Sequence, residues 1–261
     1  MQGIILILII IIAGFLIYRL KKIRKKNKIA AYKLPTTAAD ILQQYVPFYI
    51  NLTSEEQVEF RERIRDFLAR TVITGVGDTI VDDTDRILVA CSAIIPIFRF
   101  KGWRYNNISE VLLYGGSFRK DYDMEAKDRN ILGMVGDGAL HRQMILSKPA
   151  LRHGFMAGED QHNTGIHEFV HLLDKADGAT DGVPEYLLGK EHLVPWLREM
   201  HRQIKLIKTE GSDINPYAAT NEAEFLAVTA TYFFEKPEQL HQQHPELYRL
   251  LDLMFHPRQE K

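Results

Sequence analysis

Residues 163–178 read NTGIHEFVHLLDKADG, and this stretch predicts the helix around which the fold is organised. Four apolar residues recur at helical spacing and form one stripe for packing: Ile166, Phe169, Val170 and Leu173. Asn163 or Thr164 can cap the start of the helix, and Gly178 can end it. We therefore expect an amphipathic helix over about residues 163–176.

The polar face of this helix carries the pentapeptide HEFVH at residues 167–171. Histidines at positions i and i+4 lie on one face, so the imidazoles of His167 and His171 can reach a single metal ion. Glu168 then lies beside the open coordination position and can take a proton from water there, which is the chemistry of a zinc hydrolase. The alternative interpretation is two solvent-facing histidines, since chance gives this pattern in about a few per cent of chains with ten histidines.

A catalytic zinc site needs a third protein ligand from another element, and residues 215–227 offer Glu222 and Glu224. Two residues apart on a helix, their side chains point about 200° from each other, so only one can be the ligand. Glu224 has mostly small neighbours on its face, which allow close approach to the first helix, and we expect it to be the ligand. Glu222 remains the alternative because an Asn-Glu dipeptide often introduces the third ligand.

Two further polar side chains are candidates for supporting roles. Tyr217 precedes Glu224 and can donate a hydrogen bond to an oxyanion, or it can simply pack at the start of the helix. Asp174 lies one turn after His171 and can accept its imidazole N–H, or it can be a solvated acid at the helix end.

The rest of the chain has an α+β pattern. A capping box at Thr53 opens a helix to about residue 70, and a second helix is expected over about 84–95. Strands are expected over residues 71–74, 111–114 and 143–147, with glycine-rich turns at 115–116 and 133–138. Further helices are expected over about 191–209 and 216–235, and after Pro237 and Pro245. A small sheet thus precedes the metal helix, and its edge can pair with an extended peptide.

Composition bounds the class of protein. The 261 residues are 46% hydrophobic, which is sufficient for one principal globular domain. The single cysteine, Cys91, excludes an internal disulfide and a thiolate zinc cluster, and its apolar surroundings predict a buried residue.

The N-terminus has the pattern of a membrane anchor. Residues 1–18 carry no charge, and eighteen helical residues span about 27 Å, close to the thickness of the hydrocarbon layer. A cleaved signal peptide fits less well, because no basic residue precedes the apolar run and no small-residue cleavage site follows it. We predict a transmembrane anchor over 1–20, a basic juxtamembrane linker over 21–50 and a zincin-like metallopeptidase domain over 51–261.

Charge is distributed unevenly. Residues 1–33 contain eight of the 33 basic residues and no acid, so the remainder has 25 basic and 34 acidic residues, a net charge of about −9. The basic cluster directly after the span places the domain on the cytoplasmic side of a single-pass protein, with export as the alternative. The acidic body argues against a nucleic-acid-binding surface.

Three motifs in order resemble the Mlc titration factor A (MtfA) family of zinc metallopeptidases: HEFVHLLD at 167–174, DGVP at 181–184 and YAATNEAEF at 217–225. The last motif is also similar to the catalytic domain of anthrax lethal factor. The resemblance covers about residues 50–255. It implies that His167, His171 and Glu224 hold Zn²⁺, that Glu168 is the general base and that Tyr217 stabilises the oxyanion.

Two functions are compatible with these patterns. The first is a membrane-anchored zinc peptidase that acts on a peptide or protein substrate. The second is a regulatory protein that binds a partner, such as the transcriptional repressor Mlc after which the family is named, and keeps the zinc fold mainly as a scaffold. The presence of Glu168 favours the enzyme, because a scaffold needs the metal ligands but has no use for the base. An intramembrane protease is excluded by the distance of His167 from the predicted span.

Overall fold

The computed structural model describes residues 14–15, 18–19, 23, 29, 31–117, 133–135, 142–156 and 162–256. Most of the predicted anchor over 1–20 lies outside these residues. Within the described part of the chain, no helix is both long enough and apolar enough to cross a bilayer. The membrane anchor therefore stays a prediction.

Two short helices precede the domain boundary predicted at residue 51. They are α1 (Ala38–Tyr45) and α2 (Pro47–Ile50). Leu42, Val46 and Tyr49 are buried in the main core, so this part of the predicted linker packs on the domain. The sequence pattern did not reveal α1 because it spans only eight residues and has no side-chain cap.

The sheet has four strands in the order β1-β2-β4-β3. The parallel strands β1 (Val72–Gly75), β2 (Glu110–Tyr114) and β4 (Gln143–Ser147) lie within one residue of the three predicted positions. Strand β3 (Gly133–Val135) pairs antiparallel with β4, Gly133 opposite Leu146, and forms one edge. It lies where a turn was predicted, because three residues that begin with glycine are too short to show strand alternation.

One face of the sheet packs on the helices. Val111, Leu113, Met144 and Leu146 point into the main core, whereas Ile145 and Tyr114 form a small second cluster on the opposite face. The predicted α+β architecture agrees with this arrangement of a small mixed sheet and helices.

The helices around the sheet are α3 (Ser54–Leu68), α4 (Asp83–Ile94), α5 (Lys148–Met156), α6 (Thr164–Asp174), α7 (Lys190–Thr209), α8 (Glu222–Glu235), α9 (Pro237–Gln243) and α10 (Pro245–Phe255). The capping box predicted for α3 is present, with Thr53 and Glu56 as its two side chains. Helix α4 lies centrally and packs on α3, α5 and α6. The helix predicted over 216–235 is split into a 3-10 turn, Pro216–Ala219, and α8. Helix α5, which follows β4 directly, was not predicted.

A small cavity of about 100 Å³ lies between the end of α8 and the start of α6. Glu235, the last residue of α8, lines it together with Asn163 and Phe155. Its Oε2 is buried and makes no hydrogen bond within the described residues. Burial raises the pKa of Glu235 to about 8, although contact with Asn163 and the charge of Lys236 lower it in part. The ionised carboxylate is therefore unfavourable in the folded state.

We predict that Glu235 makes stability depend on pH. Because its folded pKa is above the unfolded value of about 4.3, the folded state binds more protons and loses stability as the pH rises from about 4.5 through 8. Glu235→Gln stays neutral and should remove this loss, which is on the order of 3 kcal/mol between pH 5.5 and pH 8.5. Urea unfolding of both proteins at pH 5.5 and pH 8.5 measures the difference. A variant that gains nothing at the higher pH would contradict the argument.

Candidate metal centre

Helix α6 presents its imidazole face to a cleft because its other face is fixed in the core. Asn163 caps the start, where its side chain accepts a hydrogen bond from the Ile166 N–H at 3.1 Å. Near the end, Asn107 donates to the Leu172 carbonyl at 2.8 Å and Tyr186 donates to the Leu173 carbonyl at 2.6 Å. The predicted apolar stripe is buried throughout. The helix cannot rotate without losing these contacts.

The first turn of α8 brings the third candidate ligand to this face. Asn221 has an extended backbone and acts as N-cap, where its side chain accepts from the Glu224 N–H at 2.9 Å. Glu222 is then the first helical residue and Glu224 the third, so their side chains diverge by about 200°. Glu222 is half exposed, and its Oε1 lies 3.6 Å from His201 Nε2. Glu224, in contrast, faces α6. The structure thus brings Glu224, and not Glu222, to the two histidines.

Three potential ligand atoms meet between α6 and α8. His167 Nε2 lies 3.0 Å from Glu224 Oε2, His171 Nε2 lies 3.3 Å from the same oxygen, and the two nitrogens are 3.1 Å apart. Metal–ligand bonds of about 2.0–2.1 Å in a tetrahedron place ligand atoms about 3.3 Å from one another. Glu224 Oε2 is buried against these two imidazole nitrogens. The spacing and the donor types fit a zinc ion.

Burial and the contacts between these side chains shift the pKa values of Glu224 and His171. Burial alone would raise the pKa of Glu224, but the adjacent imidazoles of His167 and His171 outweigh it and hold this pKa well below its usual range. Burial lowers the pKa of His171, and contact with Glu224 more than reverses that effect, so the net shift is upward. The cluster therefore keeps a carboxylate anion next to the two imidazoles.

The candidate general base lies in the same cleft. Glu168 is only 6% exposed and lines a cleft of about 750 Å³ with the three ligands, Gly133 and Met134. Burial raises the pKa of its carboxyl group, and the two imidazoles oppose this shift. Glu168 is the neighbour of a ligand in sequence but not a member of the triad.

Tyr217 lies at the open side of the cleft. Its hydroxyl donates to Glu224 Oε1 at 3.3 Å, and its ring centroid lies 6.1 Å from that of His167. The side chain is 51% exposed, so it can turn toward a bound molecule. Partial burial and the charge of Glu224 raise the pKa of Tyr217 to about 12, so the phenol remains a hydrogen-bond donor at neutral pH.

Asp174 has a different partner from the one the sequence suggested. Across the described residues no hydrogen bond joins it to His171; its Oδ2 accepts from the Gly182 N–H at 2.9 Å. Burial raises the pKa of Asp174 to about 6, and this hydrogen bond counteracts part of the shift. Asp174 therefore fixes the loop that follows α6.

Gly182, in the DGVP motif, is the point at which the loop after α6 contacts α8. Its φ of +75° is in the left-handed region, and a Cβ there would lie 2.2 Å from the Glu222 carbonyl oxygen. The Trp196 indole N–H donates to the Gly182 carbonyl at 2.8 Å. This glycine therefore lets the loop after α6 lie directly on the first turn of α8.

Two histidines and a glutamate on facing helices, with a glutamate beside the first histidine and a small sheet next to them, are typical of a metallopeptidase-type domain. Comparison with known proteins agrees with this class. The chain belongs to the family of glucose-regulated metallo-peptidases M90, whose profile matches residues 20–256.

Individual proteins are also similar in sequence over most of the chain. A protein of Synechocystis sp. is 29% identical over 231 residues, which cover 84% of this chain and 82% of the relative. Mlc titration factor A of Pectobacterium atrosepticum is 25% identical over 225 residues, covering 80% and 82% of the two chains. Its counterpart in Escherichia fergusonii is 26% identical over 220 residues, covering 78% and 80%. The predicted relationship to the Mlc titration factor A family is confirmed, and the likeness to lethal factor stays a prediction.

The choice between the two glutamates gives a direct test. Glu224→Ala should weaken zinc binding by more than about 100-fold, because even the loss of a group that only supports a ligand costs 10- to 100-fold. Glu222→Ala, in the same helical turn, should bind zinc like the unchanged protein. Competition with a chromogenic chelator measures both affinities, and circular dichroism checks that both variants are folded. Equal zinc affinity in the two variants would remove Glu224 from the site.

Proposed function

We propose that this protein is a zinc-dependent metallopeptidase, held at a membrane by its N-terminus, that hydrolyses peptide bonds with Glu168 as general base. The observation that carries the proposal is the convergence of His167, His171 and Glu224 in one cleft that also contains Glu168. Membership of a metallopeptidase family supports the same assignment.

The three ligands would hold Zn²⁺, which lowers the pKa of water and polarises a carbonyl group when bound. Glu168 takes a proton from the attacking water and passes it to the leaving amine. Tyr217, which stays protonated and is exposed to the cleft, donates a hydrogen bond to the oxyanion of the tetrahedral intermediate. All of these groups line the same cleft, so a substrate bound there can reach them.

The edge strand beside the cleft indicates which class of substrate to expect. Strand β3 forms the sheet edge beside α6, and Gly133 and Met134 line the cleft. An extended peptide can add to such an edge through main-chain hydrogen bonds, which bind it in a way that depends little on its side chains. A peptide or an unfolded segment of a protein is therefore the expected substrate.

A regulatory binding protein is the second candidate function. It is favoured by the name of the relatives, Mlc titration factor A, which points to a protein partner. Such a role would use the surface of the domain and would need the zinc ligands only for folding. The presence of Glu168 in the cleft favours the peptidase.

A substitution of Glu168 distinguishes the two candidate functions. Glu168→Gln keeps the size of the side chain but cannot accept the proton, so we expect zinc to remain bound and kcat/KM for a fluorogenic peptide library to fall by about 100-fold or more. Glu191→Gln, at an exposed position of α7, is the matched control and should cleave normally. Equal cleavage by both variants would exclude Glu168 as the base. Zinc binding without cleavage in any of the proteins would favour the regulatory role.

The anchor is a separate part of the proposal and rests on the uncharged run at residues 1–18 and the basic residues after it. The full chain should stay in the membrane pellet after an alkaline carbonate wash, and a chain that begins at residue 34 should be released. Protease added to intact cells should leave the domain uncut if it lies in the cytoplasm. Release of the full chain by carbonate would contradict the anchor.

A further inference from the structure

The backbone of β3 touches the candidate base at Gly133. An ideal Cβ built on Gly133 would lie 2.5 Å from Glu168 Cγ, 2.6 Å from Glu168 Oε1 and 2.7 Å from Glu168 Cδ. Carbon atoms that are not bonded to each other pack at about 3.5–4.0 Å. Any residue other than glycine would therefore overlap with the side chain of Glu168 in its present position.

The conflict would lie in this contact and not in the backbone of Gly133. Gly133 is a strand residue outside the left-handed region, so alanine can adopt its conformation. Strand β3 is paired along its whole length with β4, where Met134 lies opposite the buried Ile145. On the other side, α6 is fixed by its buried stripe. Since neither element can withdraw freely, the Glu168 side chain would have to turn away.

We propose that Gly133 is the positioning residue for Glu168: the absence of a side chain lets the β3 backbone lie against Glu168 and keep its carboxylate in the cleft beside the ligand triad. The contact between Gly133 and Glu168 follows from the geometry alone. Its consequence for turnover rests on the proposed peptidase function. The two parts therefore need separate measurements.

The chain offers matched controls for both partners of the contact. A Cβ on Gly116 would meet no atom within 4 Å, and Gly116 is outside the left-handed region, so Gly116→Ala controls for the general effect of replacing a glycine. Glu168→Ala deletes Cγ, Cδ and Oε1, which are the three atoms that a Cβ at Gly133 would overlap. Glu168→Gln retains atoms at these positions.

The packing test is a double-mutant cycle on the full chain, read by thermal unfolding. Gly133→Ala should lower Tm by several degrees in the unchanged protein and equally in the Glu168→Gln background, where the overlap persists. In the Glu168→Ala background the same substitution should change Tm by less than about 2 °C, as should Gly116→Ala alone. An equal loss of Tm in all three backgrounds would overturn the proposal, because the strain would then lie elsewhere.

The second measurement is catalysis. Gly133→Ala should bind zinc like the unchanged protein and lower kcat by about 100-fold with little change in KM, since a misplacement of about 1 Å costs this much. Full kcat in Gly133→Ala would overturn the positioning role. If the Tm cycle behaves as expected but Glu168→Gln cleaves normally, the proposed base fails while the contact between Gly133 and Glu168 stands.

Discussion

The meeting of three candidate ligand atoms from two helices is the constraint on which the rest of this structure depends. One helix can supply two imidazoles through i, i+4 spacing, but the third atom comes from Glu224, more than fifty residues later in the chain. All three atoms lie within 4.8 Å of one another. A metal site accepts errors of only about 0.2 Å in each bond, so the first turn of α8 must be held against α6 with little freedom.

The loop after α6 supplies much of that restraint. At Gly182 it is bound to α6 through Asp174, to α7 through Trp196 and to α8 through contact with the Glu222 carbonyl. One glycine thus connects the three helices that surround the cleft. The DGVP motif therefore helps to hold the first turn of α8, which carries Glu224, against α6, although none of its residues belongs to the triad. Asn221 completes the arrangement because its cap fixes which side of α8 Glu224 occupies.

Sequence patterns predicted the parts of the site that depend on local geometry. His167, Glu168 and His171 follow from spacing on one helix. The divergence of Glu222 and Glu224 on another means that only one of them can face the histidines, and the small neighbours of Glu224 favoured that residue. The helix over 216–235 was expected to be continuous, and its break at Asn221 was missed because residues 216–219 also have a helical pattern. Strand β3 and the partner of Asp174 were missed for another reason. Neither shows in a helical or strand period: Asp174 bonds to a loop N–H eight residues later, and a three-residue strand is defined only by its neighbour β4.

Glu168 and Glu224, the two glutamates beside the histidines in the cleft, contact different groups, and this difference supports different roles. Glu224 lies against two imidazoles and its pKa is held low, whereas Glu168 lies against the bare backbone of Gly133 and burial raises its pKa. Environments that shift the pKa values of two carboxyl groups in opposite directions are typical of sites where one group is a permanent anion and the other moves a proton. Both groups are costly to bury without a cation nearby. Because only the folded chain brings the three candidate ligands together, a bound metal ion would stabilise the same packing of α6, β3 and α8 that holds Glu168 in the cleft.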